Sequence, residues 1–412
     1  MGWNGERWST WLLVALVLTA ASVPIQLHKT YSIIPAHWSD FASQWLGVRT
    51  LLHGGDPYTL ELTHTIETRW FGGIRTSPMA DSHAFVYPAH AAVLLWPFAL
   101  LPWHAARILL TAILPPLVAL TAWMWAKLCN LRKGCWVAVA FVTLSWPAIW
   151  AYQQTQLTVV VVVLLTAGCY ALVKQKDGLA GVLFACSTMK PNLAVLLMVW
   201  VLLQMAVQHR WRFLIWFGAT LSSMTGASLI MFPGWIPRWV AAAAAYGNNR
   251  YKPSLLTLIF GAHGGPIAIV VLTLLVLYRL WQARIAEPGS HRFTYAAALV
   301  LALTVCVIPA TPWMIYNQLA LIPAAYLVFA EGQQAARLSR VARLGIYELI
   351  GIVPLCAVIT LAGGSSQYLQ FLPFINTPFP PLLTVAVAAL GFFPAANLIE
   401  VPAGVQQLPE GR

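Results

Sequence analysis

Residues 103–133 read WHAARILLTAILPPLVALTAWMWAKLCNLRK. The apolar run from Trp103 to Trp125 is long enough, at the helical rise of about 1.5 Å per residue, to reach across a hydrocarbon layer of roughly 30 Å. Lys127, Arg132 and Lys133 close it, as expected of a span that ends on the cytoplasmic side, where short loops collect Lys and Arg. Working outward, the same alternation recurs. Apolar runs at 8–25, 135–150, 157–173, 192–207, 213–232, 266–283, 293–310, 318–330, 344–362 and 380–399 are separated by short, mostly basic loops. The pattern predicts an all-α, polytopic transmembrane helix bundle of about twelve crossings, a single integral-membrane domain over 1–412 with both termini cytoplasmic. The segment 85–101 is apolar but short and punctuated by Pro88, Pro97 and Pro102, and it reads as a re-entrant or interfacial helix. No internal repeat of equal halves is visible, although many secondary transporters show one.

Composition agrees. The chain is 59% hydrophobic and 9% charged, whereas soluble domains carry about 25% charged residues. The net charge of +12 is explained by the loop bias rather than by a nucleic-acid partner, because the cations sit mainly between apolar runs. Cys129, Cys135, Cys169, Cys186, Cys306 and Cys356 show no zinc spacing and no disulfide framework. The run Trp11–Ile25 reads as a retained first helix, with cleavage after Ala20-Ala21-Ser22 as the alternative.

Two intervals break the pattern. Residues 28–86 carry the acids Asp40, Asp56, Glu61, Glu67 and Asp81 against Lys29, Arg49, Arg69 and Arg75, a mixture that marks the first extracytoplasmic loop. Residues 233–265, with Arg238, Arg250 and Lys252, form a second larger extracytoplasmic loop, placed outside despite being basic. Within the first loop, 39–58 reads SDFASQWLGVRTLLHGGDPY. Phe41, Trp45, Val48, Leu51 and Leu52 follow helical spacing, Gly54-Gly55 ends the helix, and Asp56-Pro57-Tyr58 turns the chain. This predicts an amphipathic surface helix with Asp40 at its N-terminus, as a cap or as a reactive carboxylate.

A polar loop on one face of a membrane bundle suits an enzyme that works at the bilayer surface. No phosphate-binding glycine loop, GxSxG or HExxH is present. Transfer of a sugar from a lipid phosphate needs none of them. It needs a carboxylate to take the acceptor's proton and a cation to steady the departing phosphate. Asp40 is the candidate base. Lys190 interrupts an apolar stretch, where a bound anion or snorkelling to the interface explains it. Arg250 and Lys252, in YGNNRYKPS, offer a second phosphate site. Gln154 and Gln156, and the cluster Trp313, Tyr316, Asn317 and Gln318, can hold sugar hydroxyls or sit in an interfacial belt. Asp56 reads mainly as a turn residue, and His37, His53, His64 and His83 lack the spacing of a helical metal-ligand pair.

Taken in order, these residues resemble glycosyltransferase family 87, polytopic enzymes of the GT-C type that use polyprenyl-phosphate sugars, mannose in the best-known members. Asp40-Phe41 with Gly55-Asp56-Pro57-Tyr58 looks like the family's first-loop pattern, Tyr87-Pro88 like its Tyr-Pro-Pro segment, and Lys190-Pro191 like its Lys-Pro motif. Gln156 sits where the family tends to carry Gly-Gln, Ser254-Leu255 is similar to its Asn-x-Ser-Leu stretch, and Thr311-Pro312 to its late Ser-Pro loop. The chain departs from the pattern at Ala89, at Thr155 and in the late loop, where Tyr316, Asn317 and Gln318 replace an ionisable group.

The resemblance implies an integral-membrane hexosyltransferase, in the plasma membrane of a bacterium with its site on the extracytoplasmic face. Asp40 is then the catalytic base of an inverting transfer, and Lys190, Arg250 and Lys252 hold the donor phosphate. Gln156, Asp56, Tyr58, Tyr316, Asn317 and Gln318 contact sugar or acceptor. The implied partners are a lipid-linked sugar donor, a glycolipid or glycan acceptor and membrane lipid. No cofactor and no metal is required by the chemistry. A polytopic transporter or lipid-linked saccharide flippase is the rival expectation.

Overall fold

The structure, a computed structural model, describes residues 39–74, 83–131, 135–247, 253–283, 285–309, 314–332 and 379–390. Among these residues the only regular structure is helix, with no strand and a single isolated bridge between Ser254 and Pro309. The chain opens with α1 (Phe41–Leu52) and α2 (Leu60–Trp70), then a 3-10 turn (Ala89–Ala91) that runs into α3 (Ala92–Leu100). The long α4 (Trp103–Leu128) is followed by α5 (Cys135–Thr143), α6 (Trp146–Gln153), α7 (Thr158–Val173) and α8 (Asp177–Ser187). Next come α9 (Pro191–Val207), α10 (Trp211–Met231), α11 (Trp235–Gly247), α12 (Leu255–Ala283) and α13 (His291–Val307). A second 3-10 turn (Ile315–Leu321), α14 (Ile322–Gly332) and α15 (Phe379–Leu390) complete the described part.

Helix α13 is the hub: fourteen of its seventeen residues are buried, and α9, α12, α14 and α15 pack on it. On the other side, α8 packs between α7 and α10. Gly181 makes the α8–α10 approach possible, since a side-chain carbon there would lie 2.5 Å from the Phe213 carbonyl oxygen. The outer faces of α10 and α12 leave Ile215, Ile230, Ile267 and Trp281 exposed, as helices turned towards lipid do.

By length and apolar character three described helices can cross a membrane: α4, α10 and α12. The pair α5–α6, bent by 44°, makes a fourth if it is one broken span. Several of the twelve expected crossings are shorter apolar helices, among them α7, α9 and α13, so a count of twelve does not follow from them. The expected spans 8–25 and 344–362, and the basic residues Arg132, Lys133, Arg337, Arg340 and Arg343, lie outside the described residues. The segment 85–101 forms twelve helical residues, about 18 Å of rise, which is short of a bilayer's width.

One expectation is corrected. The first-loop helix does not rest one apolar face on lipid: eight of the twelve residues of α1 are buried in the protein, Ser43 and Gln44 among them. An aromatic nest holds it there, with Trp103 stacked on Phe41 at 6.0 Å and packed edge-on against Trp45 and Trp70 at 5.7 and 5.4 Å. Trp45 Nε1 donates to the Leu101 carbonyl and Arg49 to the Ala99 carbonyl, so α1 is tied to the end of α3. A methyl at Gly47 would collide with the edge of the Phe85 ring, so the close approach of α1 to the 83–88 segment depends on that glycine. Much of the described part of 233–265 is helical. It contains α11, and α12 starts at Leu255, with a break at Gly261 (φ 75°, ψ 179°) that reads in sequence as loop. Arg279 lies near the end of α12 at 2% exposure, donating to Gln282.

Candidate active site

Ser39 and Asp40 divide the work at the start of α1. Ser39 accepts the Phe41 amide through Oγ and donates to the Gln154 carbonyl at 3.0 Å, which pins the helix start to the α6–α7 turn. The Asp40 side chain makes no capping bond. It points into a cavity of about 280 Å³ instead, where Gln156 Nε2 donates to its Oδ2 and the Tyr316 hydroxyl donates to the same oxygen at 3.4 Å. The carboxylate therefore does not serve as a cap, which would face its own helix.

The α6–α7 turn that presents Gln156 is unusual. Thr155 has φ 52°, in the left-handed region that a β-branched residue adopts at a cost of about 1–2 kcal/mol. The family resemblance expects glycine here. A hydrogen bond of 3.0 Å between the Thr155 and Thr111 hydroxyls offsets part of the strain. The usual order of stability should therefore invert. Thr155→Gly is expected to melt above Thr155→Ala by an amount equivalent to about 1 kcal/mol, because both lose the hydroxyl bond and only glycine relieves the backbone. Thermal unfolding of the two variants in nanodiscs measures this, and an alanine variant at least as stable as the glycine one contradicts it.

Across the cavity, Lys190 sits between α8 and α9, where Pro191 starts the new helix. It is 9% exposed. Its Nζ donates to Thr158 Oγ1 at 2.6 Å and lies 5.2 Å from the centre of the Tyr316 ring. Thr158 in turn donates to Asn317 Oδ1 at 3.2 Å. Tyr316 thus stands between carboxylate and ammonium, with its hydroxyl on Asp40 and its face under Lys190. Among the described residues Lys190 is the only Lys or Arg that lines the cavity. The far wall comes from α11, whose Trp239 lines the cavity and donates to the Val86 carbonyl at 3.1 Å, and from Ile308 and Pro309 at the end of α13.

The cavity wall includes Asp40, Gln156, Lys190 and Tyr316 of the residues singled out from sequence. Asn317 stands one step behind, through Thr158. Gln318 is buried in the 3-10 turn and does not line the cavity. Asp56 and Tyr58 are also outside it. Asp56 accepts the Tyr58 amide, as a turn aspartate does, and pairs with Arg238 of α11. The Tyr58 hydroxyl, kept protonated by burial and then by the charge of Asp56, donates to the Tyr87 carbonyl at 2.9 Å. Arg250, Lys252, Thr311, Pro312, Trp313, Asp81 and His37 lie outside the described residues. Among the described residues no three His, Cys, Asp or Glu side chains converge as metal ligands would.

The sequence pattern of glycosyltransferase family 87 matches residues 85–312, more than half of the chain. The chain belongs to glycosyltransferase family 87. No curated protein and no solved structure matches it. Membership makes the protein a membrane glycosyltransferase with a sugar donor and an acceptor as substrates, and it speaks against the transporter expectation. The family match takes in Tyr87, Gln156, Thr158 and Lys190. Asp40 precedes it and Tyr316 follows it, so the cavity joins the matched core to residues on both sides of it.

Sequence reasoning missed Gln44, Thr158, Trp239 and any site role for Tyr87 beyond its place in the Tyr-Pro motif. A signal existed for Gln44, which is four residues after Asp40 and therefore on the same helix face. Thr158 opens the run TVVVVV and reads as membrane filler. Trp239 reads as one more aromatic of an interfacial loop.

Proposed function

We propose that the protein transfers a hexose, with mannose the first candidate, from a polyprenyl monophosphate to a hydroxyl of a glycolipid or glycan, with inversion, at the extracytoplasmic face of a plasma membrane. The observation that carries this reading is the pairing of Asp40 with Lys190 across one cavity, with Tyr316 between them. The acceptor oxygen attacks the anomeric carbon from the side of Asp40, and its proton passes to that carboxylate. The bond from the anomeric carbon to the phosphate oxygen breaks, and the leaving polyprenyl phosphate keeps the electron pair. Lys190 meets the growing charge on that phosphate. Attack and departure on opposite sides of the carbon give inversion.

Gln156 orients the base, and Thr158 with Asn317 orients the ammonium. Arg250 and Lys252 are further phosphate ligands in this reading. No cofactor or metal enters a step. Purified protein in nanodiscs, supplied in turn with polyprenyl monophosphate mannose, glucose and galactose and a glycolipid extract, should release polyprenyl phosphate from one of the three. Release from none of them, beside a positive control transferase, sinks the donor class.

A further inference from the structure

Gln44 is buried to 6% exposure yet lines the cavity, and its Oε1 has no hydrogen-bond partner among the described residues. A buried carbonyl oxygen left unmet is costly, so a partner arriving with substrate recovers that energy. The position of the residue says which substrate. Gln44 is one turn beyond Asp40 on α1, and side chains four apart on a helix stand about 5–6 Å from one another at Cβ. Lys190, which takes the phosphate end of the donor, is on the other side of Tyr316.

Gln44 therefore flanks the acceptor. Its amide also engages the Tyr87 hydroxyl, which burial, and then the charge of Asp40, keep protonated. Tyr87 packs in turn against Phe85 at 6.2 Å, the ring that closes over Gly47. The amide is thus held on one side, and its oxygen accepts only.

We propose that Gln44 is an acceptor-binding residue: its side-chain oxygen receives the hydroxyl next to the one that Asp40 deprotonates, so the acceptor presents two neighbouring hydroxyls, as a sugar ring or a cyclitol does. The inference rests on the glycosyl-transfer reading of the cavity. It narrows the acceptor from any hydroxyl of a glycolipid or glycan to one with a neighbouring hydroxyl, and it gives Gln44 a specificity role separate from proton transfer. A site built to hydrogen-bond a hydroxyl discriminates strongly against an analogue that lacks it.

The test uses full-length protein in nanodiscs with polyprenyl monophosphate mannose, glucose and galactose as donors. The acceptors are octyl mannoside, octyl galactoside and octyl glucoside, each of their mono-deoxy analogues, and the monohydric alcohol octanol. Released polyprenyl phosphate and octyl disaccharide are both measured. In the unaltered protein, one deoxy analogue, lacking a hydroxyl beside the reacting one, should be about 100-fold poorer than its parent, and octanol poorer still. In Gln44→Met, close in shape but without the oxygen, the deoxy penalty should shrink to about 10-fold or less. Gln44→Glu keeps an acceptor oxygen at the same reach and should keep the penalty, although the added charge beside Asp40 lowers overall rate.

A role in packing alone would lower the rates of parent and deoxy acceptors together and leave their ratio unchanged. An unchanged ratio in Gln44→Met therefore overturns the proposal, as does octanol serving as well as the glycosides. Failure to release polyprenyl phosphate with every pairing of these donors and acceptors is a different result, and it overturns the glycosyl-transfer reading itself.

Discussion

Asp40→Asn should lower sugar transfer by about 10²–10⁴-fold, the range a positioned general base contributes, while the protein still inserts and melts near its usual temperature. The side chain makes no capping bond, and the helix start is held by Ser39 through Phe41 and Gln154. Asparagine keeps the shape and an oxygen that Gln156 and Tyr316 can still address. What it removes is the ability to accept a proton. The loss should therefore appear in turnover and leave donor affinity almost unchanged. Radiolabelled transfer in nanodiscs, with donor binding followed separately, measures both. Near-normal transfer by Asp40→Asn would remove the base, and an equal loss of donor affinity and turnover would recast Asp40 as a binding residue. Ser39→Ala is the complementary variant. It disturbs the helix start without touching the carboxylate, and its effect should fall on stability first, at about 1 kcal/mol for a lost cap.

The membrane class was readable in the sequence because apolar runs of span length, repeated between short basic loops, are what a bilayer demands and a water-soluble core does not. The positions of Asp40, Gln156, Lys190 and Tyr316 were readable because each breaks a local rule: an acid opening a helix, an amide or a lysine between apolar runs, a polar cluster late in the chain. Their convergence was not readable, since residues 40, 156, 190 and 316 meet only through packing around α13 and the α6–α7 turn. Helix lengths were blurred for a different reason. Where a helix is apolar on every side, periodicity carries no information about which face is buried or where the helix breaks. Gly261 illustrates this: glycine and proline around it read as a loop, yet the chain turns there for one residue and resumes its helix.

The burial of α1 is the clearest tertiary override. Phe41, Trp45 and Leu51 mark an apolar face correctly, but Ser43 and Gln44 belong by composition to the wet side. They are buried because Trp103, Trp70 and the 83–88 segment close around the helix. A polar residue buried by its neighbours looks, in sequence, the same as one in water. In the structure, burial and the unmet Oε1 of Gln44 separate the two.

Lys190→Met should have the second large effect, and its sign on stability should be opposite to its effect on function. The ammonium is buried, held by one hydroxyl and the face of one ring. No carboxylate pairs with it by direct salt bridge among the described residues. Taking a charge out of water costs several kcal/mol unless a counter-ion compensates, and a phosphate group is a fitting one. Methionine fills much of the same volume without the charge, so the variant should melt at or above the temperature of the unaltered protein. Its apparent donor requirement should rise by about 10²-fold and turnover should also fall, because the charge on the leaving phosphate grows in the transition state. The acceptor requirement should move little.

Thr158→Val separates charge from placement. It keeps the ammonium, removes the oxygen that orients it, and should raise the donor requirement by about 10-fold, between the unaltered protein and Lys190→Met. Initial rates against donor and acceptor concentration, with thermal unfolding on the same preparations, read all of these. A Lys190→Met protein with an unchanged donor requirement and a lower melting temperature would make Lys190 a structural lysine. Higher stability together with failed donor use is the result expected of a charge kept in the protein interior for its ligand.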